Sequence, residues 1–230
     1  MFNSFYSFRD VSFNYKRGDK KSMNIANKKM VEELNKIFPL NEKIKQAFLK
    51  IDRKEFVPLG FGFQAYKIDS LPLANDSTIS SPLTVAKMTT FLEIDNNVDS
   101  ILEIGCGSGY QSAILSKLIR RVFAVERIGS LVNEAKKRFK KLDIHNINLK
   151  YDDGLNGWKT FAPYDRIIFS ATATDIPTKL IEQLNDNGIL LTPILKDGKE
   201  IITQFKKVGG RIIIKEMEEA KFVPIKKGKE

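Results

Sequence analysis

A glycine-rich turn with an acid in front of it is the stretch of this sequence best suited to chemistry. In "EIGCGSGY" glycines stand at positions 105, 107 and 109, directly after the apolar run "ILEI". Glycine allows a backbone to approach a ligand closely. The dinucleotide fingerprint GxGxxG would require glycine where the sequence has Tyr110. Because Glu103 suits a neighbouring ammonium group better than a pyrophosphate, the pattern favours S-adenosylmethionine over NAD and over a tight turn that binds nothing.

Two further acids follow the next two predicted strands. Glu126 ends "VFAVE", where a carboxylate overlooks the crevice of a doubly wound sheet and can accept both hydroxyls of a ribose. In "YDDG", Asp153 can accept from an adenine amino group while Gly154 turns the chain, and Asp152 competes for the same role. Three features at successive strand ends indicate this cofactor more specifically than the glycine turn alone.

The remaining reactive side chains are few. The single cysteine, Cys106, lies inside the glycine turn and is predicted to pack there, and the single histidine, His145, is predicted to serve in a turn. One histidine argues against a Ser-His-Asp triad and against a histidine-based metal site, so no metal is expected. The sequence shows no acid–base pair that could activate a weakly nucleophilic methyl acceptor. We therefore expect an acceptor that is already nucleophilic at neutral pH, such as a carboxylate with a pKa near ~4.

Alternating periodicities after Ile101 predict strands and helices in succession. Strands are predicted at "ILEI", "VFAVE", "INLKY", "DRIIFS" and "GILLTPI", and helices at "YQSAILSKLI", "LVNEAKKRFKKL" and "PTKLIEQL". Two more alternating runs meet at Gly209 and Gly210, which predicts a β-hairpin. The expected fold is therefore α/β, a doubly wound Rossmann-like and mostly parallel sheet that ends in an antiparallel hairpin.

The residues before Ile101 predict a helical segment and a long loop. "KKMVEELNKIF" and "NEKIKQAFLKI" have helical spacing, are separated by Pro39, and the second can be capped by Asn41. A long stretch rich in Gly, Pro, Ser and Asp follows, and loops of this kind inside a domain are usually functional. The helix "LTVAKMTTFLEI" then leads to the glycine turn.

Composition and charge limit the class of protein. Hydrophobic residues make up 42% of the 230 residues, enough for a core, and no window reaches the ~18 apolar residues of a membrane span. The net charge of +10 sits mostly at the two ends, with +5 over residues 1–30 and +3 over residues 221–230. Because neither a membrane span nor a secretory apolar region develops, we expect a cytoplasmic protein with no membrane partner. Because the body is nearly neutral, we expect no specific nucleic-acid partner.

Several segments in one order carry a family resemblance. They read "DSLPLANDSTISSPLTVAKMTTFLEI", "ILEIGCGSGYQSAIL", "VFAVERI", "YDDGLNGW", "YDRIIFSATATDIP", "NGILLTPI" and "KFVPI". From about Val31 to Ile225 the chain resembles protein-L-isoaspartate O-methyltransferases. That resemblance implies methyl transfer from S-adenosylmethionine to the free α-carboxylate of isoaspartyl residues in damaged proteins. The resulting ester closes to a succinimide, which starts repair.

The resemblance also implies roles for individual residues. Ser80, the first serine of "ISSP", matches the catalytic serine that orients the substrate carboxylate, with Thr78 and Ile79 beside it. Val223 and Pro224 match a segment near the substrate peptide. The predicted cofactor contacts are Glu103, Gly105, Cys106, Gly107, Ser108, Gly109, Tyr110, Glu126, Arg127, Asp153 and Gly154.

Departures from the family pattern occur in the loop before Ser80 and after the third predicted strand. The family usually has glycine where this chain has Ala74 and Asp76, and often where it has Asp152.

Alternative hypotheses are a methyltransferase acting on RNA or a small carboxylic acid, and a cofactor-binding scaffold without catalysis.

The organisation expected is one methyltransferase domain over residues 27–230, acting as a monomer. It follows a basic extension of residues 1–26, which need not be folded. Within the domain we expect N-terminal helices and the substrate loop over 27–95, a cofactor-binding core over 96–200, and a hairpin with a substrate-side C-terminal extension over 201–230.

Overall fold

The computed structural model describes residues 24–175 and 177–230. Its centre is a seven-stranded sheet in the order β5-β4-β3-β6-β7-β8-β9, in which the first five strands are parallel and β8 pairs antiparallel with both β7 and β9. The predicted α/β fold with a terminal hairpin is therefore confirmed. The strands span Leu71–Pro72 (β1), Thr78–Ile79 (β2), Ser100–Ile104 (β3), Arg121–Glu126 (β4), Ile147–Tyr151 (β5), Tyr164–Phe169 (β6), Leu184–Lys196 (β7), Lys199–Val208 (β8) and Arg211–Glu219 (β9).

Helices cover both faces of this sheet. They span Ile25–Ile37 (α1), Glu42–Lys50 (α2), Pro82–Phe91 (α3), Tyr110–Leu115 (α4), Gly129–Lys141 (α5) and Thr178–Ile181 (α6). Short 3₁₀ turns cover Arg53–Phe56, Leu59–Gln64, Gly154–Asn156 and Lys159–Phe161. No helix among the described residues is long and apolar enough to cross a membrane.

The central strand β3 is buried along its whole length because it is covered on both faces. Leu102 packs with Phe123 and Tyr164 on one face, while Ile101 packs with Val122 on the other. A strand buried on both faces reads as a continuous apolar run, which is what "SILEI" shows apart from its acid. The acid is therefore the exception that needs a functional reason.

The N-terminal helices follow the predicted capping. Asn41 accepts a hydrogen bond from the Ile44 amide at 2.9 Å and caps α2 as expected. Asn24 caps α1, which begins at Ile25. The predicted basic extension therefore lies outside the described residues except for residues 24–26, which begin this helix.

Helix α3 is clamped at both ends. Ser81 Oγ accepts from the Thr84 amide at 3.0 Å at its start. At its other end the buried guanidinium of Arg166, in β6, donates to the carbonyls of Leu92 and Glu93 at 2.5 and 2.8 Å. The helix thus has a fixed position between the loop before it and the sheet.

Two helices are shorter than predicted. Helix α4 ends at Leu115, where the amides of Lys117 and Leu118 donate to carbonyls three residues back, and Asn146 Nδ2 donates to the carbonyls of Ser116 and Ile119 in the turn that follows. Helix α6 has only four residues, because Leu184 already pairs with Tyr164 and begins β7. In both cases contacts between distant segments override the local periodicity.

Candidate active site

A cleft of about 370 Å³ opens at the carboxyl ends of β3, β4 and β6. Strand β3 has β4 on one side and β6 on the other, so the cleft lies at the switch point where ligands of open α/β sheets bind. Fifteen of the sixteen predicted site residues line it. They are Thr78, Ile79, Ser80, Glu103, Gly105, Cys106, Gly107, Ser108, Tyr110, Glu126, Arg127, Asp153, Gly154, Val223 and Pro224.

The glycine turn leaves room for a ligand. Gly105 has φ +79°, and a Cβ at this position would meet no atom within 4 Å, so a side chain here would project into free space. Gly107 has φ +53°. Positive φ is available to glycine at little cost and keeps the backbone of the turn close to the cleft. The turn therefore fits a ligand that lies directly against the main chain.

Gly109 is the predicted site residue that does not line the cleft. Its φ is +87°, and a Cβ here would lie 2.7 Å from the Phe139 ring of α5. The glycine is thus required for the close packing of α4 against α5. Gly109 therefore stabilises the turn through packing and does not face the cleft.

Tyr110 and Ser108 continue the wall of the cleft. Both are buried, and the Tyr110 ring packs edge-on against Phe48 at a centroid distance of 6.3 Å. Burial raises the pKa of the Tyr110 hydroxyl to about 12. This side chain is therefore a neutral part of the wall.

Glu103 is a carboxyl group buried at the base of the cleft. It is 1% exposed and accepts a short hydrogen bond from Ser112 Oγ. Burial raises the pKa of Glu103 to about 7, and the nearby Glu126 acts in the same direction. A positive group in the cleft would favour the ionised form and lower this pKa again. Glu103 thus fits an ammonium group.

Glu126 is held rigidly at the end of β4. Its two carboxylate oxygens accept from the Gly107 amide at 2.8 Å and the Ile128 amide at 2.9 Å. A carboxylate oxygen has two acceptor sites, so each retains one for a ligand hydroxyl. The geometry fits a ribose with two neighbouring hydroxyls.

The two acids after β5, Asp152 and Asp153, have different surroundings. Asp153 lines the cleft, and its Oδ1 accepts from the Leu155 amide at 3.0 Å. The Asp152 carboxylate instead pairs with Lys150 at 2.6 Å. Gly154 has no room for a side chain, since a Cβ would lie 2.3 Å from the Ile104 side chain. Of the two competing acids, Asp153 lines the cleft and Asp152 does not.

The loop before α3 carries two neighbouring serines with different surroundings. Ser81 caps α3, as described above, whereas Ser80 lines the cleft and its hydroxyl has no hydrogen-bond partner among residues 24–175 and 177–230. Thr78 and Ile79 form β2, which pairs with β1. The capping function near Pro82 therefore belongs to Ser81, and Ser80 is free to meet a ligand.

Val223 and Pro224 reach the cleft through main-chain pairing. The Val223 carbonyl accepts from the Thr172 amide at 2.8 Å, and the Ile225 amide donates to the Thr172 carbonyl at 3.1 Å. This segment is thereby held beside the end of β6 with an extended backbone. An extended edge of this kind suits a peptide ligand.

Cys106 and His145 have no reactive setting. Burial raises the pKa of the Cys106 thiol well above its usual value. His145 is exposed and its ring nitrogen lies 2.6 Å from Asp143. Among the described residues no three His, Cys, Asp or Glu side chains form a group that could hold a metal ion.

The sequence interpretation missed several residues of the cleft. Gln111 lines it from α4 and donates to Thr89 at 2.9 Å, and Ser170 lines it directly after β6. The position of Ser170 at a strand end could have indicated it, as it did for Glu126. Lys226 gave no such signal, because the segment after Ile225 has no motif.

Comparisons with known proteins place the chain in a family. The family model described as Protein-L-isoaspartate(D-aspartate) O-methyltransferase matches residues 25–230. A Protein-L-isoaspartate O-methyltransferase of Helicobacter pylori strain P12 is 49% identical over 205 residues, which cover 89% of this chain and 98% of that protein. One of Idiomarina loihiensis is 36% identical over 202 residues, 87% of this chain and 94% of the relative.

Solved structures show the same fold. A protein-L-isoaspartate O-methyltransferase structure superposes with a TM-score of 0.77 at 28% identity, covering 87% of this chain and 66% of that chain. A beta-aspartate methyltransferase from Plasmodium falciparum in complex with S-adenosyl-L-homocysteine superposes with a TM-score of 0.79 at 22% identity, covering 88% of this chain and 99% of the other.

Proposed function

Since the chain belongs to the protein-L-isoaspartate O-methyltransferase family, we propose that its cleft brings S-adenosylmethionine and an isoaspartyl residue of a damaged protein together. The chain methylates the free α-carboxylate of that residue. The observation that carries this proposal is the position of Ser80, whose hydroxyl has no partner among the described residues and shares one cleft with the three acids Glu103, Glu126 and Asp153.

The cofactor residues act through three carboxylates. Glu103 receives the ammonium group, Glu126 accepts from the ribose hydroxyls, and Asp153 accepts from the adenine amine. When bound, the cofactor supplies an electrophilic methyl group. Gly105 and Gly107 let the main chain lie close to the ligand, with Ser108 and Tyr110 in the adjoining wall.

The substrate residues act by alignment. Ser80 Oγ donates to one oxygen of the acceptor carboxylate and turns the other oxygen towards the methyl carbon. Val223 and Pro224 hold the peptide main chain along the extended edge, beside Thr78 and Ile79. No base is required, because a carboxylate is ionised at neutral pH. The rate gain comes from proximity and orientation.

In this proposal the chain acts as a monomer. The location we propose is the cytoplasm, whose reducing conditions suit the free Cys106.

Methyl transfer to paired peptides tests the proposal. Labelled S-adenosylmethionine is incubated with a peptide containing isoaspartate and with its twin containing normal aspartate. We expect base-labile label on the isoaspartyl peptide alone. Equal label on both peptides, or none on either while the cofactor binds, would refute the assigned acceptor. RNA and small carboxylic acids would then be assayed.

A further inference from the structure

The segment Lys226–Glu230, which we call the strap, runs along the rim of the cleft. Lys226 belongs to the cleft wall, whereas the other four residues lie outside it. The strap therefore borders the opening without filling it. It continues the Val223–Ile225 segment of the substrate side and ends on the opposite, cofactor side.

On the cofactor side the strap is held by main-chain hydrogen bonds. The Gly228 amide donates to Asp153 Oδ2 at 2.8 Å, and Arg127 Nε donates to the Gly228 carbonyl at 2.8 Å. The Glu230 amide donates to the Arg127 carbonyl at 2.8 Å, and the Gly129 amide donates to a Glu230 main-chain oxygen at 2.8 Å. The strap thus binds the same acid, Asp153, that we assign to the adenine.

The Glu230 side chain connects this side to the substrate loop, residues 74–80. Its Oε1 accepts from Asn75 Nδ2 at 2.6 Å, and its Oε2 accepts from Arg127 Nη1 at 2.9 Å. A second link, Lys226 to Asp76, is longer at 3.4 Å, and the Asp76 side chain is 91% exposed. Glu230 is therefore the stronger of the two connections.

We propose that Glu230 is a positioning residue, which ties the substrate loop to the cofactor side and thereby slows the release of the bound cofactor. The loop and the strap border one opening, and the Asn75–Glu230 hydrogen bond is the shorter of the two links that hold its sides together. The same link restrains the loop that carries Ser80. This inference rests on the proposed function for the identity of the cofactor.

The release rate of S-adenosylhomocysteine tests the inference without any acceptor. It is followed on the full chain for wild type, Glu230→Ala and Glu230→Gln. Since the Arg127 hydrogen bond is charge-assisted and partly exposed, we expect release about fivefold faster in Glu230→Ala. Glu230→Gln keeps an acceptor oxygen and should lie between. The control is Glu32→Ala, which removes an equally charged, half-exposed partner of Lys28 on α1.

A second variant disturbs the strap through its backbone. Gly228 has φ +77° and a Cβ there would meet nothing within 4 Å, so Gly228→Ala strains the backbone without a clash. We expect faster release here too, although the Glu230 side chain is intact. The matched control is Gly209→Ala in the β8–β9 turn, where φ is +55° and the space is equally open.

The outcomes separate the two proposals. Release at the wild-type rate in both Glu230→Ala and Gly228→Ala would overturn the positioning role. Faster release in both, with unchanged melting temperatures and unchanged controls, would support it even if no isoaspartyl peptide were methylated. With an active enzyme, Glu230→Ala should also raise the KM for the peptide severalfold while kcat is conserved, and a fall in kcat alone would contradict the role.

Discussion

The two sides of the cleft are built in different ways. On the cofactor side, Glu103 and Glu126 are buried at strand ends and have hydrogen-bond partners from the protein. On the substrate side, Asn75 and Asp76 are exposed and have φ values of +57° and +55°. The cofactor side is thus fixed by the sheet, whereas the substrate loop depends on a few surface contacts. Binding energy for the cofactor should therefore be robust to distant changes, and substrate alignment should be sensitive to them.

The strongest test of this contrast compares the two neighbouring serines. Ser80→Ala should lower kcat/KM by about 100-fold or more, because alignment of the carboxylate is lost. Its affinity for S-adenosylhomocysteine should stay unchanged. Ser81→Ala should instead cost about 1 kcal/mol in the free energy of unfolding through the lost helix cap. Steady-state kinetics and thermal unfolding of both variants measure these effects. A normal rate in Ser80→Ala would remove this serine from the mechanism.

The next largest effect is expected on the cofactor side. Glu126→Gln removes the negative charge of the carboxylate that accepts hydrogen bonds from the ribose hydroxyls. Hydrogen bonds to a charged group contribute roughly 2 kcal/mol, so S-adenosylhomocysteine binding should weaken by about 30-fold. Calorimetric titration measures it. At saturating cofactor, kcat should be nearly normal. A large fall in kcat with unchanged cofactor affinity would contradict the assignment of Glu126 to the cofactor side.

The buried acid should make cofactor binding depend on pH. Because the pKa of Glu103 is raised to about 7, affinity for S-adenosylhomocysteine should rise severalfold between pH 6 and pH 7.5 as the group ionises. Glu103→Gln should remove this dependence.

The ligand-free protein should show the opposite trend. A raised pKa means that the stability contributed by protonated Glu103 is complete below about 4.5 and is lost as the pH rises through about 7. Chemical unfolding over this range, with Glu103→Gln as the control, measures it. A flat difference between the two proteins would contradict the raised pKa.

The smallest effect is expected in the substrate loop. Asp76 occupies a left-handed conformation that glycine adopts without strain. Asp76→Gly should change the free energy of unfolding by less than about 1 kcal/mol, because relief of strain is offset by greater freedom of the unfolded chain. The KM for the peptide should change by less than about threefold. A tenfold change would mean that the loop is more tightly specified than its exposure indicates.

Much of the cofactor side could be predicted from sequence, because parallel strands bring their carboxyl ends to one edge. That rule predicted the placement of Glu126 and Asp153 beside the glycine turn. The distinction between Asp152 and Asp153 could not be predicted, because it depends on which side chain Lys150 contacts. The capping of α3 by Ser81 likewise emerged only from the structure.

The substrate side was less accessible to sequence interpretation. The strap joins Asn75, Arg127 and Glu230, which are far apart in the chain and belong to no motif. The lengths of α4 and α6 depend on Asn146 and on the pairing of Leu184, which are also contacts between distant segments. The positions of residues at strand ends follow from the general rule for parallel sheets, whereas contacts between distant segments follow from no such rule.

The clamp on α3 gives this helix a required length. Ser81 fixes its start and Arg166 its end, and Ser80 is attached directly to the fixed start. One residue removed from an α-helix turns everything before it by about 100° and shortens it by about 1.5 Å. A single-residue deletion in α3 would therefore rotate the Ser80 hydroxyl out of the cleft or pull the helix from Arg166. Substitutions on the solvent side of α3 should be tolerated, whereas insertions and deletions between Pro82 and Phe91 should not.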